Sequence, residues 1–331
     1  MSSIPYTPGL DGLRALAIVL VMLFHADMPG LPGGNVGVDL FLVLSGYLIT
    51  RLLLAEIQLS GGVRLRVFYL RRLWRLMPPL LLMLALYCVF APYAWPEYPF
   101  HVRDVVALLL YIGNIAAIAG SFPEKLMHGW SLGLEEQFYL IWPLFMIVLW
   151  RRCQGHLGVV LLILFMLMTA WRFLYVQLGD TSGVAYYRPD MHSTGLILGA
   201  ALAVGGLSVG RWVAALALMA LVFAVFLPRS SETHLIFFIP LAELAAVLLI
   251  ASVMQGAAQA LGHPLAVHLG KLSYGLYLFH YPIMKCLLEQ DMPWYGVFLF
   301  GATLSYLLAW ISYHSIERYA RQRRHHYALQ L

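Results

Sequence analysis

Long apolar runs separated by short polar turns fill the chain, and they predict helices at membrane depth. The runs lie at 10–27, 36–55, 76–93, 104–120, 132–150, 157–177, 191–206, 211–227, 235–254, 272–289 and 295–314. A helix needs about 20 apolar residues to cross a bilayer, fewer where the membrane thins. Arginine supplies the orientation, because cytoplasmic loops carry the excess of positive charge. Arg51, Arg64, Arg66, Arg71, Arg72 and Arg75 follow the second run, Arg318, Arg321, Arg323 and Arg324 form a tail, and Arg151 and Arg152 lie between. With all three groups cytoplasmic, the number of crossings from the first group to the tail is even, yet nine runs lie there. One run therefore does not cross. The weakest are the short 191–206 and 104–120, which Gly113 and Asn114 interrupt; the position of Arg151 and Arg152 selects 104–120. The expectation is an all-α polytopic membrane protein of about ten transmembrane helices, both termini cytoplasmic. One re-entrant or broken segment would border a polar cavity, since irregular backbone at membrane depth needs protein or water around it.

Composition strengthens this picture. The chain is 61% hydrophobic and 11% charged, against about 25% charged in soluble domains. That predicts a single integral-membrane domain over residues 1–331, no fused soluble domain and a basic cytoplasmic tail over 315–331. The run after Arg14 has no small-residue cleavage site behind it and reads as a first span, not a signal peptide. The net charge of +5 serves orientation and gives no reason to expect nucleic acid. Cys88, Cys153 and Cys286 lack metal-ligand spacing and cannot all pair, so they read as structural thiols, and no metal is expected.

The chemistry lies in the few ionisable groups inside the runs. On one α-helix the eleven steps from Arg14 to His25 bring the two side chains to within about 20° of one face, roughly 16 Å apart along the axis. Asp11 extends the same stripe. A charge at the bilayer centre costs roughly 2.5–3.5 kcal/mol on insertion scales, so such groups face protein or a wet cavity and mark function by default. The other reading makes Arg14 an interfacial anchor and His25 the far cap. After His25 the loop is rich in glycine and proline, which suits a tight turn or a substrate loop equally. Asp39 then enters the second run, as a helix cap or as the partner of a buried cation.

Arg72 and Arg75 share a helix face in YLRRLWRLMPP, where Trp74 and the prolines suggest an interfacial turn. They are either a topology signal or a guanidinium clamp for phosphates. The stretch from His128 to Tyr139 is the most polar at membrane depth; Glu135 and Glu136 beside Trp130, Ser131 and Tyr139 favour function over helix capping. Later candidates are Asp190 and His192, then Lys271 and Tyr274 on one stripe, and His280, which would line the cavity or sit satisfied in the core.

These blocks together resemble the membrane-bound acyltransferase 3 family. The resemblance runs through GLDGLRALAIVLVMLFH with Arg14 and His25, GVDLFLVLSGYLIT from Gly37, RRLWRLMPP with Arg72 and Arg75, WSLGLEEQFYLIWP from Trp130, GKLSYGLYLFHYPI from Gly270, and Ser315-Ile-Glu-Arg318. It implies transfer of an acyl group, usually acetyl, from cytosolic acyl-coenzyme A to a hydroxyl of a lipid-linked or surface carbohydrate, in the bacterial inner membrane. Arg14 and His25 would be the required pair. Arg72 and Arg75 would hold the coenzyme. One departure stands out: where many members carry an arginine and then an acidic residue before Gly195, this chain has His192 and Thr194.

The residues suit that chemistry independently. A hydroxyl acceptor needs a base titrating near neutrality, as histidine does, and the coenzyme's phosphates need cations. His25 is then the expected general base, oriented by Asp11, Asp39 or Glu135. Arg14, Glu135, Glu136 and Asp39 complete the catalytic candidates. Arg14, Arg72, Arg75, Lys271 and Tyr274 are candidates for the coenzyme. Asp11, Trp130, Ser131, Tyr139, Asp190, His192 and His280 are candidates for substrate. An acyl-histidine intermediate is the competing mechanism. A transporter or channel, with the same groups along a solute or proton path, is the alternative function.

Overall fold

The structure is a computed structural model that describes residues 5–179, 183–227 and 231–330, with side chains described as far as residue 323 apart from 211 and 231. Of the expected tail, Leu331 and the side chain of Arg324 lie outside the described residues. The described chain is helical, with no strand. In order, α1 is Pro8–His25, α2 Val36–Ser60, α3 Leu65–Ala94, α4 His101–Leu109, α5 Gly113–Ile118, α6 Gly129–Cys153, α7 Leu157–Gln177 and α8 Pro189–His192. Then follow α9 Thr194–Gly205, α10 Arg211–Phe226, α11 Ser231–Thr233, α12 Ile239–Met254, α13 Pro264–Leu288, α14 Trp294–His314 and α15 Ile316–Gln330.

Six helical stretches among the described residues are long and apolar enough to cross a membrane, one of them the α6–α7 stretch Gly129–Gln177. The expected runs 191–206 and 211–227 become the shorter α9 and α10. Rows of exposed Leu140, Ile141, Leu144 and Val148 on α6, and of Leu162, Ile163, Met166 and Leu167 on α7, suit contact with lipid. The run 104–120 is broken, as Gly113 and Asn114 suggested. α4 stops at Leu109, Tyr111 adopts a left-handed φ of 54°, and α5 resumes at Gly113. α3 runs through Pro78 and Pro79, so Arg72 and Arg75 belong to the same helix as the span that follows. Pro78 and Pro79 leave the Trp74 and Arg75 carbonyls without their helical donors, and the Tyr274 hydroxyl donates to the adjacent Leu76 carbonyl at 2.9 Å.

The chain divides into two compact units: residues 1–63 with 137–271, and residues 64–136 with 272–331. In the first, α2 packs on α1 and α9 at backbone contact. A Cβ on Gly37 would meet the Ala17 carbonyl oxygen at 2.4 Å, one on Gly46 the Leu196 oxygen at 2.0 Å, and one on Gly199 the Val43 oxygen at 2.1 Å. Such crossings need residues without side chains, and membrane helices use small residues for the same purpose. Gly46→Ala should therefore force α2 and α9 apart and lower stability by about 1–3 kcal/mol, read as a fall in melting temperature of the purified protein; an unchanged melting temperature would contradict the packing. In the second unit, α15 packs on α3, and α3, α13 and α14 line an apolar groove of about 470 Å³ among Met83, Phe90, Phe279, Ile283, Phe300 and Leu304.

Candidate active site

α1 is one unbroken helix, so Arg14 and His25 keep the expected separation of about 20° and roughly 16 Å. Both are half-buried. Arg14 Nη1 donates to Asp11 Oδ1 at 3.0 Å, and the Tyr6 hydroxyl donates to Asp11 Oδ2 at 2.8 Å. The helix is held here at backbone contact: a Cβ on Gly12 would stand 1.9 Å from the Leu261 oxygen, and one on Gly270 1.9 Å from the Asp11 oxygen. Lys271 follows at once, its ammonium 5.6 Å from the Tyr6 ring. Asp11 belongs to the Arg14 end of α1, about 21 Å from His25 along the axis, so it does not orient that imidazole by contact.

Asp39 is taken up elsewhere in the first unit. Its Oδ1 pairs with His192 Nε2 at 2.8 Å, both side chains being fully buried, and its Oδ2 has no hydrogen-bond partner. Direct orientation of His25 by Asp39 is therefore not what the structure contains. Asp39 instead pairs with the buried imidazole of His192, where the expectation was a helix cap or the partner of a buried cation. Around it lies a polar cluster in which His192 is joined by Arg172, Glu243, Asn35 and His234, none of these four a candidate from the sequence. Arg172 Nη1 donates to the Met191 carbonyl at 2.8 Å and to Thr194 Oγ1 at 3.1 Å, while Thr194 Oγ1 donates to Glu243 Oε1 at 2.5 Å. Arg172, Glu243, His192 and Thr194 are all at most 1% exposed. Asn35 Nδ2 bonds the Tyr186 hydroxyl at 3.0 Å and meets His234 Nε2 at 2.9 Å, and His192 Nδ1 pairs with the Tyr186 carbonyl at 2.7 Å. His234 opens a π turn, His234–Phe238, a form of helix that concentrates at functional sites. The signal was available: Arg172 and Glu243 are lone charges within apolar runs, which mark a site by default. Asp190 lies apart from the cluster, ion-paired with Arg188 at 2.8 Å and bonded by Trp171 Nε1 at 2.9 Å. Tyr139 is buried in the same unit.

In the second unit, Glu136 lies within electrostatic reach of Arg72, Arg75, Glu135 and Tyr111, and Tyr111 in turn approaches Tyr274. The broken segment packs on the first turns of α6, since a Cβ on Gly133 would meet Asn114 Oδ1 at 2.6 Å and the Tyr111 oxygen at 2.8 Å. Further along both helices Ser131 Oγ and the Tyr277 hydroxyl lie 2.6 Å apart. His280 is fully buried, its Nδ1 turned to the Tyr277 carbonyl at 2.8 Å, and its ring lies 5.7 Å from that of His128. Trp130 is buried near the start of α6.

The loops beyond carry a second polar group. Lys125 Nζ donates to Glu289 Oε1 at 2.9 Å and to Glu124 at 3.0 Å, and Trp95 Nε1 and Lys285 also reach Glu289. Burial pushes the Glu289 carboxyl up, but hydrogen bonds from Lys125, Lys285 and Trp95 outweigh it and hold it below its ordinary value. A depressed carboxyl contributes stability above its unfolded value, and that contribution is lost as pH falls through the folded one. The melting temperature should thus drop on acidification below the ordinary glutamate value of 4.5, and Glu289→Gln should flatten that part of the profile.

A chain that is helical throughout its described residues, with six helical stretches long and apolar enough to cross a membrane, is a polytopic membrane protein. Residues 7–314 match the family model described as an acyltransferase domain, Acyl_transf_3, and the chain belongs to the membrane-bound acyltransferase 3 family. It is 32% identical over 352 residues to the peptidoglycan O-acetyltransferase OatA of Listeria monocytogenes, covering 94% of this chain and 55% of that protein. It is 32% identical over 357 residues to the O-acetyltransferase OatA of Staphylococcus aureus, covering 98% of this chain and 58% of that one. The chain thus spans a little over half the length of these relatives. No solved structure matches. Among the described residues, no group of three or more His, Cys, Asp or Glu side chains is placed to hold a metal ion.

Proposed function

We propose that the protein is an integral-membrane O-acyltransferase that moves an acyl group, acetyl by preference, from cytosolic acyl-coenzyme A to a hydroxyl of a cell-surface carbohydrate. The observation that carries the reading is α1, where Arg14 and His25 share one face of an unbroken helix in a chain whose residues 7–314 match an acyltransferase family. The relatives named for peptidoglycan and other O-acetylation support the choice of acetyl and of a glycan acceptor. His25 is the general base that takes the acceptor's hydroxyl proton as the oxygen attacks the thioester carbon, and the departing thiolate receives a proton in return. Arg72 and Arg75 are the cations for the coenzyme's phosphates. The setting is the bacterial cytoplasmic membrane with both termini inside, which puts the Arg14 end of α1 towards the coenzyme. A solute or proton path is not favoured by membership of this family.

The test is mass spectrometry of surface glycans and glycolipids from cells with and without the gene, alongside purified protein supplied with labelled acetyl-coenzyme A. Loss of O-acetyl groups on deletion, restored by the wild-type gene, is the expected result. An unchanged glycan profile together with no turnover of acetyl-coenzyme A would end the reading.

A further inference from the structure

We infer that His128 is an acceptor-binding residue, the group that receives a hydroxyl of the incoming sugar; this rests on the acyl-transfer reading above. The second unit carries a column of polar side chains along the facing parts of α6 and α13. It begins at Glu136 with Arg72 and Arg75, continues through Tyr274 and then the Ser131–Tyr277 pair, and ends at His128. Along α6 the eight residues from Glu136 back to His128 correspond to about 12 Å.

His128 is 1% exposed; the Leu278 carbonyl approaches its ring without closing a well-formed hydrogen bond, and the ring nitrogens meet no other partner. Buried polar atoms are nearly always paired, so an imidazole with at most one weak backbone contact calls for an occupant. The surroundings state its chemistry. Tyr281 stacks on the imidazole with centroids 5.1 Å apart at 26°, and Tyr277 and His280 stand at 5.6 and 5.7 Å. Ser131 Oγ and the Tyr277 hydroxyl both turn to the His128 backbone carbonyl, at 3.4 and 2.9 Å, which fixes the position of the residue. These neighbours are rings and hydroxyls, without the cations that phosphates demand. A neutral imidazole offers one donor and one acceptor, which matches a neutral polyol better than an anion. The site is also shallow: Tyr281 is half-exposed and its hydroxyl donates to the Glu124 carbonyl at 3.2 Å.

The experiment uses the full-length protein in lipid nanodiscs, acetyl-coenzyme A as donor and chitotetraose as the acceptor probe. His128→Ala should lower acetylation of the sugar about 10- to 100-fold, chiefly through a raised KM for chitotetraose with a smaller change in kcat. His128→Gln, which keeps a donor and an acceptor, should recover part of the loss. A fall in kcat with KM for chitotetraose unchanged, equal in both variants, would make the residue structural and overturn the inference, as would full transfer in His128→Ala. Ring-nitrogen resonances in histidine-labelled protein provide a second readout: the resonance assigned to His128 by its absence from the His128→Gln spectrum should shift when chitotetraose is added to wild-type protein, and no shift of that resonance would overturn the inference. Wild-type protein that neither hydrolyses nor transfers acetyl-coenzyme A would instead count against the acyl-transfer reading, upstream of His128.

Discussion

His25→Ala is expected to lower acyl transfer about 100- to 10,000-fold, the range that a positioned general base supplies, with insertion and thermal stability close to wild type. The side chain is half-buried at the end of α1, so its removal opens little cavity. Arg14→Ala should act differently. Arg14 is bonded to Asp11, which the Tyr6 hydroxyl also holds, and its loss leaves that carboxylate with one partner fewer. If Arg14 meets the coenzyme, the variant raises KM for acetyl-coenzyme A more than it lowers kcat. Transfer of labelled acetyl groups by purified variants separates these outcomes. A His25→Ala enzyme with full activity would remove α1 from the chemistry and with it the reading of the chain.

What the sequence made legible was the set of features that depend on local pattern. The stripe on α1 follows from helical geometry alone, and the break after Leu109 follows from a glycine and an asparagine within one short run. The pairing of Asp39 depended on the imidazole of His192, 153 residues further along the chain. Spacing cannot reveal such a partner. Another contact out of reach of local pattern lies on α3, where Tyr274, 198 residues away, donates to the carbonyl of Leu76. His192 and Thr194 are the two positions where the resemblance led us to expect an arginine and an acidic residue. Both fall in the Asp39–Arg172–Glu243 cluster, where they bond groups already present.

That cluster should prove a larger determinant of stability than any surface pair. Arg172→Ala or Glu243→Ala is expected to destabilise the protein by about 3–5 kcal/mol, because each strands the opposite charge in a buried, apolar setting. Thr194 bridges the two, accepting from Arg172 and donating to Glu243, so either change also breaks a chain of hydrogen bonds. The paired replacement Arg172→Met with Glu243→Leu removes both charges while keeping much of their volume, and should cost clearly less than the sum of the single changes. It should not restore full stability, since Asp39 would lose the guanidinium with which it interacts and keep its unpartnered oxygen. Thermal unfolding of the four proteins in one detergent measures the coupling. Additive and small effects would mean that water reaches these groups, and the cluster would then be a hydrated passage in the first unit instead of a sealed electrostatic tie between α7, α9 and α12.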